Sequence, residues 1–264
     1  MNSEKNRQEN KKALKVLIPL TIGCGIAGGI IGAFSATDSA ANLAQTIGTN
    51  LNALMRAVSP YCVILVALAG VITELVMYQS AKRQFECHKA FDDEDEEEKF
   101  LEKVDNKLSF ALLSGSICMI LSFMFFAAVL AYLRYYIEND ANIYIAALLF
   151  FIVASLGTAK MQQVIVDLEK IIAPEKQGSV YDIKFAEKWE ESCDEMEKYA
   201  IYKSAYASYK ATNKAYAVAV VLLMLLSFFF QFGPLPAMTV CALWIVSVVS
   251  YCLESIRLEK EKLN

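Results

Sequence analysis

Apolar residues in this chain gather in six long stretches separated by charged segments, with neither the strict alternation of a half-buried strand nor one helical stripe throughout. A hydrocarbon core of roughly 30 Å is crossed by about 20 helical residues rising about 1.5 Å each. Because lipid offers backbone amides no partner, each stretch predicts a helix. The predicted spans are residues 13–34, 58–77, 108–132, 143–157, 215–232 and 235–253, the short fourth one extending helically through Lys160. The last two are joined only by Gln231-Phe232-Gly233-Pro234-Leu235-Pro236, which demands a tight antiparallel hairpin. The expected fold is all-α: one integral membrane bundle over residues 1–264, six transmembrane helices in three hairpins, with cytoplasmic helical extensions.

The polar segments carry their own periodicity. In the insertion 158–214, the stripe Met161, Val164, Ile165, Leu168 and Ile171-Ile172 prolongs the fourth span as a helix that stops at Pro174 and Gly178. Asp182 is placed to cap a second helix, with the stripe Phe185, Trp189, Ser192-Cys193, Met196, Tyr199-Ala200 and Lys203. No Gly or Pro interrupts it before Gly233, so it is expected to run straight into the fifth span. Tyr199, Tyr202, Tyr206 and Tyr209 share one face. Phenols favour the headgroup layer, so anchoring is favoured there, with a partner or ligand groove as the alternative. Between the first two spans, Ala40, Leu43, Ile47, Leu51, Leu54 and Val58 form the apolar face of an amphipathic helix capped near Thr37 or Asp38. Packing of that face on the protein's own spans is favoured over a lid.

Charge sets the orientation. Of the 25 Lys and Arg, only Arg56 and Arg134 fall in segments predicted outside, so both termini are expected in the cytoplasm, with the first span a retained signal anchor. An apolar content of 56% and a mean hydropathy of +0.37 suit a membrane protein better than a soluble domain. The net charge of −4 averages a basic tail (Lys5, Arg7, Lys11, Lys12) with the acidic run Asp92-Asp93-Glu94-Asp95-Glu96-Glu97-Glu98, read as a solvated loop. No basic stripe with interleaved aromatics appears, which argues against nucleic acid as a partner.

Candidate chemistry is sparse. Gly25, Gly28, Gly29 and Gly32 give the first span a small-xxx-small pattern, read as an intramolecular packing face in preference to a dimer seam. The cysteines lie in spans or cytoplasmic segments, and the single histidine, His88, adjoins Cys87 beside the acidic run, so neither a disulfide framework nor a metal site is expected. Phosphate loops, GxSxG and HExxH are missing. Glu190-Glu191 resembles the glutamate pair of intramembrane glutamic proteases only superficially, lacking the accompanying Arg and His. Glu74 is the candidate intramembrane ionisable group. It stands near the end of the second span, where a carboxylate reaching for the headgroups is favoured over a coupling role.

The Gly-rich first span, the segment through Glu102-Lys103 to Lys107-Leu108-Ser109, and the Trp189, Ser192-Cys193-Asp194-Glu195 and Tyr202-Lys203 region resemble a family of bacterial six-span membrane proteins known only as a domain of unknown function. That resemblance covers most of the chain and implies location and fold, with no catalytic residue to transfer. The expected protein is therefore a multi-pass component of the cytoplasmic membrane and not an enzyme, with no catalytic, cofactor or metal residues. A non-catalytic accessory or interaction role is favoured. A transporter or permease subunit is the alternative, and a polar cavity lined by Thr21, Ser114, Ser116, Ser122 or Thr239 would favour it. Expected partners are the lipid bilayer and a membrane protein met through Phe185, Trp189, Met196, Tyr199, Tyr202, Tyr206 and Tyr209; a homo-oligomer is compatible with the sequence.

Overall fold

The computed structural model describes residues 37–87, 94–230 and 232–261, and between 11 and 34 all but 12, 13, 16, 17, 20, 24, 27 and 31. Helices account for nearly all of them. After a shorter apolar helix, Thr21–Phe34, come α1 (Asp38–Cys87), α2 (Glu94–Ala131), α3 (Leu133–Asn139), α4 (Ala141–Ile172), α5 (Phe185–Glu191), α6 (Glu195–Phe230) and α7 (Leu235–Glu261). Ala13 and Cys24 of the predicted first span, His88, and Asp92 and Asp93 of the acidic run lie outside the described residues.

Three expectations change. The amphipathic segment after Thr37 is the start of α1, a continuous helix of 50 residues that includes the second span. Its apolar stripe is not packed on the protein: Leu43, Ile47, Leu51, Leu54 and Val58 are exposed, while Ala40 and Ala44 are buried. No proline lies between Asp38 and Pro60, and the helix runs through Gly48 without a break, so the chain does not turn along a membrane surface. The acidic run, expected as a solvated loop, is helical from Glu94 and forms the start of α2. The second helix of the 158–214 insertion is broken at Ser192-Cys193-Asp194 into α5 and α6, and α6 runs straight into the fifth span.

The chain divides into two units, residues 52–202 and a second made of residues up to 51 with those from 203 onward. In the first, α1, α2 and α4 meet in two apolar clusters. One holds Ala81, Val104, Leu108, Ala111, Ile165 and Leu168; the other holds Val63, Phe126, Val129, Tyr136 and Ala147, with Phe126 and Phe151 stacked at 4.3 Å. α4 starts where Asp140 accepts a hydrogen bond from the Ile143 amide at 3.3 Å and stops at Ala173, because a residue before Pro174 disfavours helical backbone. The expected break at Pro174 is found there.

In the second unit, α6 and α7 form the expected tight hairpin. Gly233 takes φ 75°, a left-handed conformation, and the Pro234 carbonyl accepts from the Met238 amide at 2.9 Å to start α7. Tyr209 stacks on Tyr251 at 4.3 Å, and the Trp244 indole N–H donates to Asn213 at 2.7 Å. On Thr21–Phe34, a Cβ at Gly25, Gly28 or Gly29 would meet no described atom within 4 Å.

Candidate functional site

Glu74 does not reach for the headgroups. Its side chain is 0% exposed, because α1 runs on for more than three turns to Cys87 and carries the carboxyl into the bundle. Along each of the three helices it lies between the two apolar clusters, at the level of Gly115 on α2 and Thr158 on α4. The carboxyl occupies the space a side chain on Gly115 would need; a Cβ there would fall on Oε1. Gly70 and Cys118 make a second close approach between α1 and α2, a Cβ at Gly70 falling 2.8 Å from that of Cys118. Neither Glu74 oxygen has a hydrogen-bond partner among the described residues. The buried Thr158 hydroxyl lies close enough to interact, short of a completed hydrogen bond.

Three of the five hydroxyls expected to line a polar cavity are spent locally. Ser114 donates to Ala111 O at 2.9 Å, Ser116 to Leu112 O at 2.8 Å and Thr239 to Leu235 O at 2.9 Å, each within its own helix. A cavity of about 330 Å³ does open elsewhere, between Arg56, Pro60 and Tyr61 of α1 and Tyr135, Tyr136, Asp140 and Ile143. The Arg56 guanidinium lies 4.1 Å from the centre of the Tyr135 ring. Pro60 has no amide hydrogen to give the Arg56 carbonyl, and the Tyr136 hydroxyl donates to that carbonyl in its place. Nothing in the spacing of α1 and α3 announced this contact.

Beyond its apolar portion, α4 holds the following loop. Gln163 Oε1 accepts from Ser179 Oγ at 2.9 Å and from the Val180 amide at 2.8 Å, and the Lys170 ammonium donates to Gly178 O. Gly178 adopts φ 121°, and the Phe185 ring fills the space its Cβ would take. Phe185 in turn contacts Trp189 at 5.5 Å, so these two candidate interface residues are half-buried in their own segment. Asp194 and Glu197 form a capping box: Asp194 Oδ1 accepts from the Glu197 amide at 2.7 Å and Glu197 Oε2 from the Asp194 amide at 2.9 Å. Glu197 also binds the buried Lys176 ammonium, whose Nζ lies 3.5 Å from Cys193 Sγ. The Lys176 bond holds the Glu197 carboxyl below its ordinary range. Burial pushes Lys176 down, but its bonds to Glu197 and Cys193 more than offset this and leave it raised. The Asp194-x-x-Glu197 spacing was the available signal for the helix start at Glu195.

The tyrosine face divides. Tyr202 donates to Glu190 in the first unit, whereas Tyr206 and Tyr209 stack on Tyr251 in the second. Met196 and Tyr199 are exposed, as are Tyr181 and Ile183.

Five helices among the described residues, within Asp38–Cys87, Lys99–Ala131, Ala141–Ile172, Glu195–Ser227 and Leu235–Lys260, are long and apolar enough to cross a bilayer. Their outward faces carry Leu65, Ile120, Leu156, Val221 and Ile245, all exposed, as a lipid-facing surface requires. The class is that of a multi-pass helical membrane protein. The chain belongs to the family described as Protein of unknown function (DUF3169), whose model matches residues 10–255. No curated protein and no solved structure matches it.

Proposed function

We propose that the protein is a non-catalytic accessory or interaction component of the cytoplasmic membrane, with six spans in three hairpins and both termini inside, that engages a membrane-protein partner through its cytoplasmic segment. The observation that carries this reading is the exposed apolar surface beyond the apolar spans. Ile183 is 102% exposed and Met196 76% exposed, on a segment otherwise fixed by the Lys176–Glu197 ion pair and the capping box. Interface energy concentrates in a few side chains, each contributing roughly 2 kcal/mol or more when it is a hot spot. Ile183→Ser with Met196→Ser should preserve insertion and monodispersity in detergent while removing a specific partner crosslinked in native membranes. Phe185→Ala with Trp189→Ala acts first on the segment's own packing, so lost crosslinking there should come with lost protease resistance. If wild-type membranes give no specific crosslink, the interaction reading is wrong.

A transporter or permease subunit is the second reading, and the buried Glu74 favours it. Solute movement by purified protein alone in liposomes would establish it in place of the first.

A further inference from the structure

We infer that Glu74 is a proton-binding site of the membrane bundle: its carboxyl, wedged against Gly115 where α1, α2 and α4 meet, carries a proton in the closed packing and gives it up only when these helices part.

The argument begins with the two oxygens, fully buried and without a hydrogen-bond partner. A carboxylate in such a place must be compensated by a cation or neutralised by a proton. The ligand set decides between these. Hard cations take six or more oxygens, and no group of three His, Cys, Asp or Glu among the described residues converges on a point. Around Glu74, α4 offers the Thr158 hydroxyl and α2 offers Cys118 and the bare backbone of Gly115. No described Lys, Arg or His faces it, and Cys118 is the other titratable group in reach. One oxygen-bound proton fits this space and a coordinated metal ion does not. The packing also makes the site conditional. Helices α1 and α2 close at Gly115 because the carboxyl fills the missing side chain's volume, so a negative charge arising there strains the same contact that excludes water. Proton release and helix separation are therefore one event. This inference does not depend on the interaction reading and holds whether or not a partner is found.

The test uses the full-length protein in native membranes and the apolar reagent dicyclohexylcarbodiimide. A protonated carboxyl gives its proton to a carbodiimide nitrogen while its oxygen adds to the central carbon. The O-acylisourea then rearranges to a stable N-acylurea, with nothing leaving. Solvated carboxylates, with an ordinary pKa of about 4.3, are almost wholly ionised at pH 7 and react poorly. Glu74 should be labelled at neutral pH, several-fold more slowly at alkaline pH, and equally with or without sodium; Glu74→Gln should abolish the adduct at unchanged abundance. Hydrogen exchange over residues 108–122, corrected for its intrinsic pH dependence, should quicken at alkaline pH in the wild type and not in Glu74→Gln. No adduct in folded protein, equal labelling by a water-soluble carbodiimide, or protection by sodium would each overturn the proposal. So would exchange that quickens alike in both proteins, since the opening would then not follow from Glu74 ionising, or exchange that quickens in neither, since the acid would then be merely structural and leave the helices closed.

Discussion

At the scale of single residues, the extension of α4 carries an acid whose burial ties stability to pH. Beyond its apolar portion, Glu169 is half-buried, and that burial, with the Asp105 carboxylate acting in the same direction and Lys176 against it, pushes its carboxyl up to about 7 from an ordinary 4.5. A folded-state value above the unfolded one means the native protein holds a proton that the unfolded chain has released. The contribution to stability is then fully present below about 4.5 and is lost as pH rises toward about 7. The melting temperature of Glu169→Gln in detergent should accordingly lack a decline that the wild type shows over this window; parallel profiles would refute the assignment. Glu197, held in the opposite direction by Lys176, marks how local the effect is. Both acids stand in the sequence as ordinary members of a charged segment. What separates them is whether a buried ammonium reaches the carboxyl, which depends on where the loop after Pro174 returns.

Single elements are defined by what completes their hydrogen bonds. Within α1, Pro60 leaves the Arg56 carbonyl without its helical donor, and Tyr136 fills the gap. Tyr136→Phe should destabilise by about 1–3 kcal/mol, the usual penalty for an unpaired buried acceptor. In a Pro60→Ala background the restored amide can serve the carbonyl, so the same substitution should cost less; equal losses in both backgrounds would rule out the exchange of donors. At the start of α6, Asp194→Ala removes one half of the capping box and should cost about 1 kcal/mol, read as lower protease resistance between Lys176 and Glu197. The helices themselves were legible because apolar runs and Pro174 are local signals. Their junctions were less so, since the uninterrupted run past Ser192 concealed a break that Asp194 and Glu197 create.

For the whole molecule, the outstanding quantity is topology. Five described helices meet the length and polarity needed for a span, and Thr21–Phe34 is a shorter apolar helix. With six spans, tags at both termini should be shielded in intact spheroplasts; one shielded and one accessible terminus would mean five. In a background without native cysteines, thiols placed at Ser39 and Asn139 should react with an impermeant maleimide in intact cells, and one at Ser179 should react only after lysis. Reaction of Ser179 without lysis would reverse the orientation that the Lys and Arg distribution predicts.

The linear pattern alone determined that this is a helical membrane protein, where its main apolar helices lie, and that α6 and α7 return on one another through Gly233-Pro234. Each of these follows from forces acting over a few residues: lipid requires internally bonded backbone, and a left-handed glycine followed by proline turns the chain. Tertiary structure decided what Glu74, Tyr136 and Lys176 do. On the sequence, Glu74 belonged to the end of a span; in the fold, α1 continues beyond it and Gly115 of another helix makes room for its carboxyl. Burial and pairing of a polar group depend on the helices packed around it, and apolar periodicity says little about which helices those are.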